Sequence, residues 1–176
     1  AIAAARAAGA GPAAVRQGLA GFRPLPHRMA LVAEVDGVRY YDDSKGTNVG
    51  AAVTALRGLP EARVVLIAGG GDKLGAYDEL AAALAARGRA AVLIGEAADR
   101  IAAAVGDVVP VARAGDMEAA VTTASRFARP GDAVLLSPAC SSFDMFKSYA
   151  DRGERFAAAV RALATARGAA STGEGP

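Results

Sequence analysis

Three uninterrupted apolar runs most constrain this chain: VVLIA at 64–68, AVLI at 91–94 and AVLL at 133–136. A strand that is apolar at every position is covered on both faces, as in parallel sheets; a sheet with one wet face alternates instead. Between and around these runs, apolar residues recur at helical spacing. Val49, Val53 and Leu56 form one set, Leu80 and Leu84 a second, and Ile101 and Val105 a third. Met117, Val121 and Phe127 form a fourth, and Phe156, Val160 and Leu163 the last. Buried strands alternating with amphipathic helices predict an α/β, Rossmann-like, mostly parallel sheet with helices on both faces. VVPVA at 108–112 reads as one further short strand, interrupted by proline.

The exception lies early. MALVAEV and VRYYDD flank Asp36-Gly37, a two-residue hairpin signal, so one antiparallel strand is expected near an edge of the sheet. Before the hairpin come two short helical patterns, one up to Arg6 and one from Pro12 to Leu19. The proline-punctuated GFRPLPHR then reads as a linker. The chain begins as if partway along a helix, which predicts that it is the downstream part of a longer protein. Residues 167–176 are small and polar, and a disordered tail is expected there.

Bulk properties narrow the function. Lys+Arg is 20 and Asp+Glu 18, a net charge of +2, too slight to argue for nucleic acid or an acidic membrane surface. The apolar stretches are too short or interrupted to span a bilayer. The single cysteine, Cys140, excludes an intramolecular disulfide and fits a reducing cytoplasm. One histidine and one cysteine make no metal site.

In a parallel α/β sheet, ligands bind beyond the carboxyl ends of the strands. Three strands here run into polar or glycine-rich loops: YYDDSKGTN, LIAGGGDKLGAY and LLSPACSSFD. All three are expected at one edge. Each has an ordinary reading. GGGDK lacks the spacing of a phosphate-binding P-loop or a dinucleotide fingerprint, and reads as a turn with a solvated lysine. DDSKGTN supplies Thr47 or Asp43 as a cap for the helix that follows. Lys45 beside that helix start opposes the helix dipole unless an anion balances both. SPACSSFD carries serines but no nucleophile elbow, and His27 lies too early for a hydrolase triad, so Cys140 reads as a small buried hydrophobe.

The run LPHR, then DDSKGTNVGA, then GGGDK, then LLSPACSSFDMFKSYADRGERF resembles the C-terminal part of the Mur ligases, over Pro24 to Leu163. The D-S-K-x-T-N form resembles the branch that adds D-glutamate, rather than sister ligases and folylpolyglutamate synthetases. The resemblance implies a division into residues 1–23, the tail of a central ATPase domain plus linker, and 24–166, the C-terminal ligase domain. It implies ATP-dependent amide formation through an acyl phosphate, with ATP, Mg2+, D-glutamate and UDP-N-acetylmuramoyl-L-alanine as ligands of a cytoplasmic monomer.

Position by position, the resemblance assigns Thr47, Lys73, Ser142, Phe143 and Tyr149 to D-glutamate. Tyr149 stands where the family pattern has phenylalanine. Arg28 and Asp43 fall to the nucleotide, and His27, Lys45 and Arg152 to support of the closed catalytic site. The family's phosphate-binding loop, magnesium-binding acid and modified lysine have no counterpart in this sequence, nor does a uridine-binding domain. The resemblance therefore implies that this chain alone does not catalyse ligation. The reading outside this family is a stand-alone α/β module that senses a nucleotide or another anion at the same edge.

Overall fold

The computed structural model describes residues 2–21, 25–72 and 75–171. Helices α1 (Ile2–Ala7) and α2 (Pro12–Ala20) come first, with Pro12 in the first turn of α2, where its missing N–H costs nothing. The hairpin β1 (Ala30–Val35) and β2 (Val38–Asp42) then turns through Asp36 and Gly37, both at positive φ, 52° and 75°. That pair of left-handed residues is the twist-matched two-residue turn expected of Asp-Gly.

Four strands follow, each after a helix: α3 (Val49–Gly58), β3 (Val64–Gly69), α4 (Asp78–Arg87), β4 (Gly88–Ile94), α5 (Ala98–Val105), β5 (Val111–Arg113), α6 (Met117–Phe127) and β6 (Ala133–Leu136). Helix α7 (Tyr149–Ser171) closes the chain. The sheet order is β1-β2-β6-β3-β4-β5. Only the β1–β2 pair is antiparallel, and β1 lies at the edge, as the sequence predicts. Strand β6 slots between β2 and β3, so the three strands with unusual loops are neighbours.

The two-faced burial follows from the period-2 geometry of a strand. In β3, Val64, Leu66 and Ala68 pack into one core with Leu56, Leu80, Leu84 and Ile101. Val65 and Ile67 enter the other, with Met117, Val121, Phe156 and Val160. Truncating a leucine such as Leu66 or Leu84 to alanine costs about 2–5 kcal/mol at sites so fully enclosed. Helix α7 continues past Leu163 to Ser171, so residues 167–171 are helical rather than a disordered tail; 172–176 lie outside the described residues. Of the linker, residues 22–24 are likewise outside them.

Candidate ligand-binding site

The three loops do meet at one edge, and backbone bonds sew them together. The Ala139 N–H donates to Gly46 O at 2.9 Å, joining the loops after β6 and β2. Gly71 N–H donates to Ser141 O at 3.1 Å, and the Ser141 hydroxyl returns a bond to Gly71 O at 3.2 Å, joining the loops after β6 and β3. This close approach explains one glycine of the GGG run: a Cβ on Gly70, at φ +131°, would lie 2.1 Å from Ser141 O.

Within the first loop, the polar residues divide their work differently from expectation. The cap of α3 is Asn48, whose side chain accepts from Ala51 N–H at 2.9 Å, not Thr47 or Asp43. The physical reason is local geometry. Thr47 N–H donates to Lys45 O in a tight turn, and Asp43 is drawn inward, where its Oδ2 accepts from the Ser137 hydroxyl at 2.7 Å. Burial pushes the Asp43 carboxyl above the usual range; the Ser137 bond, a Met29 backbone bond and the charge of Arg28 oppose that rise.

Asp42, the last residue of β2, is buried and accepts from two sides, from Ser44 N–H at 2.9 Å and through Oδ2 from His27 Nδ1 at 2.7 Å. Asp42 thereby seats the segment before the hairpin against the loop after it. Lys45 N–H donates to His27 O at 3.0 Å and reinforces the same seam. The Lys45 ammonium lies 3.9 Å from the centroid of the Tyr149 ring. The face of an aromatic ring attracts a cation, which accounts for a lysine placed against the dipole.

Lys45 divides two depressions. One, of about 680 Å³, is lined by Arg28, Asp43, Lys45, Asn48, Ala51 and Thr54 among others. The other, of about 450 Å³, is lined by Leu25, His27, Lys45, Tyr149 and Glu154 among others. In the loop after β6, Ser142 is buried, whereas the Phe143 side chain is strongly exposed, at 79%. Lys73 lies outside the described residues. The loop that carries it is flanked by Asp72, which takes both oxygens to Arg100 Nη1 at 2.8 and 2.6 Å, and by Gly75, whose carbonyl accepts from Arg100 Nη2 at 2.9 Å.

Arg152 is fully buried. Nε donates to Ser44 Oγ at 3.0 Å; Nη1 donates to Ser141 O at 2.9 Å and Cys140 O at 3.4 Å; Nη2 donates to Ser44 O at 3.0 Å and Cys140 O at 3.3 Å. Five bonds match the five N–H groups of a guanidinium. Burial lowers its pKa to about 10, against the charges of Asp144 and Asp42, which favour the cation. Cys140 is buried as expected, and burial pushes its thiol up, so it is not poised as a nucleophile.

Asp42, Ser44, Ser137 and Asn48 are the residues that sequence reasoning left unassigned. The first, second and fourth sit inside DDSKGTN, so their signal was density of short polar side chains without a way to rank them. Among the described residues no group of three or more His, Cys, Asp or Glu comes together to hold a metal. No helix among them is long and apolar enough to cross a membrane.

Fold and loop geometry define an α/β domain with a candidate ligand-binding edge built from three strand-end loops. The family model "Mur ligase, glutamate ligase domain" matches residues 27–140, and the chain belongs to that family. It is 55% identical over 152 residues to the UDP-N-acetylmuramoylalanine--D-glutamate ligase of Nitrosospira multiformis, covering 86% of this chain and 32% of that protein. It is 51% identical to the ligase of the same name from Geotalea daltonii, covering 89% of this chain and 34% of the relative. The chain thus spans about a third of the length of these curated relatives. Among solved structures, the MurF ligase of Thermotoga maritima in complex with ADP shares the fold with a TM-score of 0.59 at 20% identity, over 94% of this chain and 37% of that one. The E. coli FolC structure in complex with ADP, without folate substrate, gives 0.57 at 22% identity, over 95% and 38%.

Proposed function

We propose that this chain is the amino-acid-binding part of an ATP-dependent ligase that joins D-glutamate to UDP-N-acetylmuramoyl-L-alanine in peptidoglycan synthesis. The observation that carries the reading is the convergence of three family motifs on one sheet edge, in a chain 55% identical to a D-glutamate ligase. In this reading residues 1–23 are the end of a preceding ATPase domain plus linker, and 24–166 form the ligase domain. The whole enzyme is a cytoplasmic monomer.

D-glutamate is a dicarboxylate with one ammonium, and it needs cations and hydroxyls at fixed spacing. Thr47 and Ser142 stand on loops joined by the Gly46–Ala139 bond, so one ligand bridging them meets a preformed frame. Lys73 supplies the charge opposite a carboxylate, and the Phe143 and Tyr149 positions border the seat. Arg28 suits phosphate oxygens, and Asp43 suits ribose hydroxyls, at the larger depression, which Lys45 borders.

When bound, ATP would supply the phosphoryl group that converts the muramoyl-alanine carboxylate to an acyl phosphate, with ADP as the leaving group; attack of the neutral D-glutamate amine on the acyl carbon would then form the amide and expel phosphate. His27 and Arg152 act by holding the loops that border this chemistry. Magnesium, in this reading, belongs to the preceding ATPase domain. The isolated chain is expected to be inactive in ligation.

In the full-length protein carrying this chain, ADP and phosphate release should require both D-glutamate and UDP-N-acetylmuramoyl-L-alanine. Thr47→Ala should raise KM for D-glutamate roughly ten-fold or more, the loss of one charge-assisted hydrogen bond, with KM for ATP little changed. Release that L-glutamate supports equally would defeat the assignment. ADP binding without any amino-acid dependence would favour a nucleotide-sensing module.

A further inference from the structure

Ser44 has every polar atom engaged and is fully buried. Its N–H donates to Asp42 Oδ1 at 2.9 Å, and its hydroxyl donates to Tyr149 O at 2.8 Å. The hydroxyl also accepts from Arg152 Nε at 3.0 Å, and its carbonyl accepts from Arg152 Nη2 at 3.0 Å. Arg152 spends its remaining donors on the Cys140 and Ser141 carbonyls. One buried pair thus connects the loop after β2, the loop after β6 and the first turn of α7. Ser44 precedes Thr47 by three residues, and Ser141 directly precedes Ser142.

We infer that Ser44 and Arg152 are positioning residues that couple the two halves of the amino-acid seat, setting Thr47 against Ser142 without touching the ligand. The inference rests on the amino-acid-seat reading above. A guanidinium whose five donors are all turned into protein has none left for substrate. Its planar fork instead holds two carbonyl-bearing loops at fixed separation, which a point-charge ammonium does not reproduce. The Ser44 hydroxyl is the part that makes the fork selective. Without it, Nε loses its acceptor in the interior, and the half-buried Tyr149 O loses the hydroxyl donor.

The test is NMR on this chain with Ser44→Ala, chosen because it removes one oxygen and leaves the packing volume nearly intact, and with Arg152→Lys. Three signals are read: the Arg152 Nε–H resonance, the amides of Ser141 and Ser142, and dissociation constants for D-glutamate and for ADP. In Ser44→Ala the Nε–H should move, and the Ser141 and Ser142 amides, nearly a hundred residues away in sequence, should shift with it (a separation of about 97 residues). D-glutamate should bind roughly ten-fold more weakly, with ADP affinity within about two-fold. Arg152→Lys, which has no guanidinium signal to read, should shift the Ser141 and Ser142 amides and weaken D-glutamate more strongly while the chain still melts cooperatively.

An unchanged D-glutamate affinity with a displaced Nε–H overturns the coupling, as does an equal loss for both ligands, which would mark general loosening. Should the unsubstituted chain bind neither enantiomer of glutamate, the seat reading itself fails. The coupling is then decided by the Ser141 and Ser142 amides alone, which either respond to Ser44→Ala or refute it.

Discussion

The Lys45 ammonium rests 3.9 Å from the centre of the Tyr149 ring, at the partition between the two depressions of the site. The same ring meets His27 edge-on, with centroids 6.2 Å apart. A lysine held this way is ordered before any ligand arrives, and its protons lie in the shielding cone of the ring. Tyr149→Phe should keep the arrangement, because the face of the ring carries the attraction. Tyr149→Leu should abolish it, moving the Lys45 ε-methylene signals downfield and lowering stability by about 0.5–1 kcal/mol in denaturant titrations.

The second prediction concerns Gly153, on α7 beneath His27. A Cβ there would fall 2.2 Å from His27 Nδ1 and 2.7 Å from Asp42 Oδ2. Gly153→Ala should therefore push the imidazole off Asp42, leaving a buried carboxylate oxygen without its donor. The expected cost is about 1–3 kcal/mol, with loss of the hydrogen-bonded Nδ1 signal in a 15N spectrum of the imidazole. A variant as stable as the parent with that signal intact would refute the geometry.

Asp43 should give stability a pH dependence of unusual sign. Its folded-state carboxyl is raised, chiefly by burial, so it holds a proton more tightly folded than unfolded. As pH rises from about 4, the unfolded chain ionises first, and this group's contribution to stability falls until the raised value is passed. Above that interval the penalty is constant. Asp43→Asn cannot titrate, so the stability difference, parent minus variant, should decrease with rising pH across the interval. A difference that increases there would show that the Ser137 bond outweighs burial.

Much of the fold was legible because its cause is periodic. Apolar runs without alternation marked β3, β4 and β6 as strands covered on both faces, and Asp36-Gly37 marked the hairpin. The candidate site was legible as a set of loops, which the structure brings to one sheet edge. The roles inside those loops were not. In DDSKGTN several side chains can each cap a helix or accept from the backbone, and the choice of Asn48 depends on where β6 pulls Asp43 through Ser137. Arg152 lies in a segment, ADRGERF, whose composition reads as an exposed helix face. Its burial arises only because Ser44 and the Cys140–Ser141 carbonyls converge there from 108 and 11–12 positions away.

The cap itself provides a fourth prediction. Asn48 supplies the oxygen for Ala51 N–H, whereas Thr47 is committed to the preceding turn. Asn48→Ala should destabilise the chain by about 1 kcal/mol, and Asn48→Asp or Asn48→Ser should restore most of it. Thermal unfolding of the three variants checks the order.

The central claim is that this sheet edge is a stereospecific amino-acid seat. The most direct measurement is an NMR titration of the chain with D-glutamate and, separately, L-glutamate, repeated on Lys73→Ala. The account predicts saturable shifts of the Thr47 and Ser142 amides with D-glutamate, absent with L-glutamate and lost in the variant. Equal shifts with both enantiomers, or no shift with either, would contradict it.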